Sequence, residues 1–223
     1  MADGFASRVQ QVISARGRLC VGIDPHESLL HGWGLPATAS GAREFGLRVV
    51  DAAAGRVGFV KPQVAFFERY GATGYGALEA VLAAARAAGL VIIADAKRGD
   101  IGTTVEAYGQ AWLTPGSPLE ADALTVVAYQ GLGSLDPVIA LAERGGKGLF
   151  VLTATSNPEA VAPQTALRTD GRTVASGLVA DIRAHASPSL GVVVGATIDV
   201  ADFGIALGDL VGMPVLAPGF GVQ

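Results

Sequence analysis

Residues 90 to 104 read LVIIADAKRGDIGTT. An apolar run of strand-forming type leads straight into Asp95, Lys97, Arg98 and Asp100, two acids and two bases within six positions. An ionised carboxylate or ammonium is costly to bury unless it is paired, so the cluster is either a surface turn or a set of charges held in place at the end of an interior strand. Side chains at i and i+2 share one face of a strand, which predicts Asp95 and Lys97 on one side and Ala94 and Ala96 on the other. Arg98 has the opposite parity and is expected to leave toward solvent or a loop. Gly99 breaks the strand. Thr103 and Glu106 have capping-box spacing, which predicts a helix starting close to Thr103 and puts Asp100 on the short connecting loop.

The pattern of a dry strand with a polar end recurs along the chain. Comparable runs are LCVGID (19 to 24), VGFVKP (57 to 62), LVIIADAK (90 to 97), ALTVVAY (123 to 129), GLFVLTAT (148 to 155), LGVVVGAT (190 to 197) and PVLAPGF (214 to 220). Near-continuous hydrophobicity over strand length marks parallel strands covered on both faces. Helically spaced residues lie between them, such as Leu78, Val81, Leu82 and Ala85, and again Val174, Leu178 and Ile182, each set predicting one apolar stripe. Repeated βα units of this kind build either an open doubly wound sheet or a closed barrel. Polar residues finish strand after strand: Asp24, Lys61, Asp95 with Lys97, Thr153 to Ser156, and the glycine-rich PGFG. A barrel collects such residues from most strand ends, whereas an open sheet gathers its ligand at one switch point, so the expected fold is a (β/α)8 TIM barrel. Seven strand runs are present, and the eighth βα unit is absent from the sequence. No linker or composition break divides the chain, so residues 1 to 223 are expected to form a single barrel domain, truncated at its C-terminal end. The segment 157 to 171, NPEAVAPQTALRTDG, is expected to be a loop over the barrel mouth.

Composition narrows the function. The chain of 223 residues is 50% hydrophobic and 16% charged, with mean hydropathy +0.43, 31 glycines and net charge −4. These values exclude a disordered chain and a disulfide scaffold. Without a Lys/Arg block, a main role in holding nucleic acid or an anionic membrane is not expected. The single cysteine, Cys20, sits in an apolar run and reads as a small core residue. Residues 80 to 94 are the nearest approach to a membrane span, but Arg86 and Gly89 interrupt them, so a helix running into a strand explains them better. The N-terminus has no apolar stretch of signal-peptide length, which predicts a cytoplasmic protein. His26, His31 and His185 have no spacing of a metal pair, and no zinc or P-loop signature appears, so no metal site is expected.

Asp24 precedes Pro25 and Lys61 precedes Pro62. A residue before proline is held extended, so each is expected to end its strand. Three consecutive strands thus finish in D, K and DxK.

DAKRGDIG (95 to 102) resembles the DxKxxD signature of the orotidine 5'-phosphate decarboxylase family. IDPH, FVKPQ, TATSNPE and APGFGVQ follow in that family's order and spacing, and the DAKRGDIG and TSNP forms are similar to its second bacterial subgroup. The resemblance covers residues 19 to 223. It implies removal of CO2 from C6 of orotidine monophosphate to give UMP, without cofactor or metal. By motif position, Lys97 would be the ammonium that stabilises the developing carbanion and protonates it. Asp95 would lie beside the substrate carboxylate, and Lys61, Asp95, Lys97 and Asp100 would form an alternating chain of charges. Asp24 and Lys61 match ribose-hydroxyl ligands, Ile101 matches a substrate contact, and Ser156 matches the residue that reads the pyrimidine edge. Gly221 and Gln223 match the phosphate loop. The resemblance also implies a homodimer in which Asp100 and Thr104 reach the partner's site.

Two alternatives differ in kind. Metal-dependent sugar-phosphate decarboxylases and synthases share the barrel and the DxKxxD motif, but place an acid near the end of the second strand to help hold Mg2+, where this chain has Lys61. A non-catalytic nucleotide-binding barrel is the other. The family pattern continues past GVQ through a helix, a strand and a phosphate-clamping arginine, so a chain ending at Gln223 is expected to be unstable and nearly inactive.

Overall fold

The computed structural model describes residues 4 to 220. Among the described residues there are seven strands, one in each predicted run: β1 (Cys20–Ile23), β2 (Phe59–Pro62), β3 (Val91–Arg98), β4 (Ala123–Val126), β5 (Gly148–Ala154), β6 (Leu190–Val194) and β7 (Val215–Leu216). They hydrogen-bond in chain order, β1 to β7. The helices are α1 (Phe5–Arg16), α2 (Glu27–Gly32), α3 (Ala39–Ala53), α4 (Ala65–Glu68), α5 (Gly71–Ala87), α6 (Gly102–Leu113), α7 (Asp136–Gly145), α8 (Val161–Thr165) and α9 (Val174–His185). Sequential parallel strands joined through helices are the connectivity of a (β/α)8 barrel, and seven of its eight units account for the described chain. No helix among the described residues is long and apolar enough to cross a membrane.

The chain divides into two compact units. The first comprises Arg8–Ala96 and Gln110–Leu124. In it β1 pairs with β2 and β2 with β3, all parallel. Its core contains Ile23, Val60, Ile92, Leu78, Leu82 and Phe67, each fully buried. Leu78, Val81, Leu82 and Ala85 form the buried face of α5, as their spacing predicts. The start of β3 is held by a side chain: Asp122 accepts the Ile92 N–H at 2.8 Å through one oxygen and the Arg8 guanidinium at 2.9 Å through the other. A charge-assisted bond of this kind closes a backbone group that the neighbouring strand leaves open.

The second unit comprises Lys97–Gly109 and the described residues from Thr125 onward, together with those up to Ser7. Here β5 pairs with β6 and β6 with β7, again parallel. Leu149, Val151 and Val192 are fully buried, and Phe5 meets Phe150 edge-on at 5.8 Å between ring centroids. Helix α9 is capped by Thr173, whose hydroxyl accepts the Ser176 N–H at 3.0 Å. Its buried positions are Ala175, Gly177, Val179 and Ile182. Val174 and Leu178 are only half-buried, so of the predicted stripe Ile182 alone holds. The buried stripe runs through Ala175, Val179 and Ile182, and Gly177 is covered by the side chain of Arg168, which leaves no room for a Cβ there. The segment 157 to 171 is also more ordered than a plain loop, since it forms a 3-10 turn at Pro158–Ala160 and then α8.

Candidate active site

In the first unit, the ends of β1, β2 and β3 gather three of the predicted residues. Parallel pairing sets Gly22 against Lys61 and Ile23 against Pro62. Past Pro62 the backbone is tied to both neighbours: the Gln63 N–H donates to Ile23 O at 3.1 Å and the Val64 N–H to Asp95 O at 3.2 Å. These bonds fix the base of Lys61. Its ammonium donates to Asp95 Oδ2 at 3.0 Å and to Gln63 Oε1 at 3.2 Å, and stands 3.9 Å from Asp24 Oδ1. The Lys61 and Asp95 side chains are 13% and 10% exposed, so water screens this pair little. Gln63 turns its amide back to Asp95 O at 3.4 Å. One neutral side chain therefore holds both members of a buried ion pair.

Asp24 and Lys61 lie at the ends of their strands, one residue beyond Ile23 and one before Pro62 respectively. The Asp24 carboxylate folds back over Gly22, where an added Cβ would come within 2.7 Å of Oδ2. Asp24 Oδ1 is buried and accepts no hydrogen bond among the described residues. An ammonium has three N–H donors, and Lys61 uses two. A spare donor and a spare acceptor 3.9 Å apart suit a hydroxyl, which can accept from one and donate to the other.

Cys20 belongs to the same strand face as Gly22 and Asp24. Burial pushes its thiol up to about 12; Lys61 opposes the shift, while Asp95 and Asp24 add to it. The thiol therefore stays protonated and inert near neutrality.

In the second unit Lys97 follows β3 out of its regular geometry. Its φ is +48°, in the left-handed region that a residue other than glycine rarely adopts. Asp95 is buried at 8% exposure, whereas Lys97 is exposed. The Lys97 N–H donates to Thr125 Oγ1 at 3.0 Å. Arg98 is half-buried rather than free in solvent, with its guanidinium 5.5 Å from the centre of the Tyr108 ring. Asp100 is half-buried on the loop, and its Oδ1 accepts the Ile101 N–H at 2.8 Å. Helix α6 begins at Gly102, so Thr103 lies inside its first turn and is not the residue that precedes it. Ile101 is 61% exposed and Thr104 is exposed too.

Ser156 is exposed on a turn that its neighbours hold rigidly. Gln164 of α8 accepts the Thr155 N–H at 2.9 Å and donates to Thr155 Oγ1 at 3.0 Å. Thr155 in turn donates to Asn157 Oδ1 at 2.8 Å, and Asn157 donates to Glu159 at 3.0 Å. That last bond keeps the Glu159 carboxyl below its ordinary range. Gly221 and Gln223 lie outside the described residues. Three supporting residues escaped the sequence reading: Gln63, Thr125 and Gln164. Only Thr125 carried a signal, as the one hydroxyl within the apolar run ALTVVA.

Comparison with known proteins gives this chemistry a setting. Residues 17–223 match the family model for the Orotidine 5'-phosphate decarboxylase / HUMPS family. The chain is 48% identical to an orotidine 5'-phosphate decarboxylase of Corynebacterium efficiens, covering 100% of this chain and 81% of that one. It is 51% identical to the Nocardioides enzyme of the same name, over 98% and 82% of the two chains. Among solved structures, the Leishmania donovani OMP decarboxylase superposes with a TM-score of 0.81 at 31% identity, over 98% of this chain and 80% of that one.

Proposed function

The chain belongs to the orotidine 5'-phosphate decarboxylase / HUMPS family, and from that membership we infer its function: it is a carboxy-lyase that converts orotidine 5'-phosphate to UMP. The bond from C6 to the carboxylate breaks, its electron pair stays on C6, and CO2 leaves. Lys97 gives a proton to C6 and becomes a neutral amine, which solvent reprotonates, so the net reaction consumes one proton. At about 4 Å and an effective dielectric near 20, an ammonium and a carbanion attract by roughly 4 kcal/mol. A fixed charge supplies this without reorganising at the moment of reaction.

The observation that carries this reading is the arrangement of Asp24, Lys61 and Asp95. Lys61 stands between two acids, 3.0 Å from Asp95 and 3.9 Å from Asp24, and so takes the place that a divalent ion would need. The sugar-phosphate branch of the family requires the reverse. The spare donor of Lys61 and the spare acceptor of Asp24 bind ribose hydroxyls, and Asp95 faces the substrate carboxylate. Ser156 reads the pyrimidine edge, Ile101 contacts substrate, and Gly221 with Gln223 holds the phosphate. Asp100 and Thr104 complete the partner's site in a homodimer acting in the cytoplasm, and residues 1 to 223 serve as a single domain.

The test follows the loss of orotidine 5'-phosphate absorbance with UMP and CO2 measured together. One UMP and one CO2 for each substrate consumed, with the rate unchanged by EDTA or Mg2+, is expected. Lys97→Ala should lose turnover yet still bind UMP, because its charge matters most as the carbanion develops. A metal requirement, or a Lys97→Ala rate near the parent's, overturns the reading.

A further inference from the structure

Lys97 holds an unfavourable backbone conformation, and something must hold it there. A left-handed residue with a Cβ is disfavoured because the Cβ crowds the following carbonyl oxygen. Such outliers persist only when the surroundings over-determine them. Three contacts within the second unit do so. The Lys97 N–H donates to Thr125 Oγ1 at 3.0 Å. One residue further on, Arg98 O accepts the Val127 N–H at 2.8 Å. Gly99 then passes so close to Val127, just past β4, that an added Cβ would run into its carbonyl oxygen. Thr125 is 1% exposed in an otherwise apolar run, and a buried hydroxyl is tolerated only where it is bonded. The hydroxyl oxygen thus gives the turned peptide a buried acceptor. The result is a bulge-like kink at a strand end, a device that re-aims a side chain beside an active site.

We propose that Thr125 is the positioning residue for Lys97: its hydroxyl, bonded to the Lys97 N–H, sets the direction in which the ammonium is presented to C6. The proposal rests on Lys97 being the proton donor, and its test separates the two ideas. Thr125→Val keeps the shape and removes the acceptor. It should lower kcat by about ten- to a hundredfold, the scale set by a misplacement of about 1 Å. KM and UMP affinity should stay within about threefold of the parent. Thr125→Ser, which restores the oxygen, should recover most of kcat. If the valine variant does not fold, Thr125→Cys takes its place; a thiol is a weak acceptor, and kcat should again fall well below that of the serine variant.

Lys97→Ala is assayed alongside. If it retains turnover, the reading of Lys97 falls and the proposal with it. If Lys97→Ala is inactive while Thr125→Val, or Thr125→Cys in its place, keeps kcat within about twofold of the parent, Lys97 stands and Thr125 is not its positioning residue. A Thr125→Ser rate as low as that of the valine or cysteine variant also overturns the proposal, because the hydroxyl would then not be the operative group.

Discussion

Lys61 Nζ donates to Asp95 Oδ2 at 3.0 Å, and the same ammonium donates to Gln63, whose own amide points back at the Asp95 carbonyl. Removing one partner of a buried pair leaves the other charge uncompensated, which costs more than the pair itself contributes. Lys61→Ala is therefore expected to destabilise the protein by about 3 kcal/mol. The double replacement Lys61→Met with Asp95→Leu should melt closer to the parent, although it should be inactive. A double variant no more stable than Lys61→Ala would show that the buried charge is not the source of the loss.

Gln63→Leu probes the neutral clamp. Lys61 keeps Asp95 as a partner but loses its second acceptor, so stability should change by about 1 kcal/mol, the worth of an ordinary hydrogen bond. KM for orotidine 5'-phosphate should rise several-fold as Lys61 becomes free to turn. Unchanged KM and kcat would mean that the pair of charges orients itself.

Cys20 predicts the alkaline behaviour. Its thiol, raised from 9.0 to about 12, holds its proton where the unfolded chain releases one. Its contribution is therefore full below about 9 and is lost as the pH rises toward about 12. Urea unfolding at pH 8 and pH 10.5 should show a smaller loss of stability for Cys20→Ala than for the parent. Equal losses would contradict it. Native Cys20 should also resist thiol reagents at pH 8 and react on unfolding.

The turn carrying Ser156 depends on Gln164, which both accepts from and donates to Thr155. Gln164→Ala removes both bonds without touching the position of Ser156 in the sequence. It should reduce kcat/KM by about tenfold while shifting the melting temperature little, since a surface turn contributes little to global stability. An unaltered kcat/KM would show that the turn holds its shape through the Asn157 and Glu159 bonds alone.

A dimeric arrangement makes its own prediction. If Asp100 acts in the partner's site, mixing inactive Lys97→Ala and Asp100→Ala proteins should restore activity, because one site of each mixed dimer then carries both lesions and the other carries neither. No recovery after verified subunit exchange would assign Asp100 to its own subunit's site or to structure.

The strands were legible because their burial on both faces demands runs such as LVIIA and GVVV, a requirement each segment meets locally. The ends of those runs named Asp24, Lys61 and Asp95, and the structure brings these three together. The α9 stripe was misread by about one position: Ala175 and Val179 are buried beside Ile182, not Val174 and Leu178, and only packing against the rest of the fold chooses between two neighbouring stripes of the same spacing. The same limit applies to the site. Which residues carry charge at the strand ends, and the family to which they belong, follow from sequence alone, since residue type and order are local facts. That Gln63 clamps the pair, that Lys97 leaves the extended conformation, and that Thr125 receives its N–H were decided by tertiary structure. Lys61 meets Asp95 across 34 residues and Lys97 meets Thr125 across 28, and no propensity acting over a few neighbours can specify a contact at that separation.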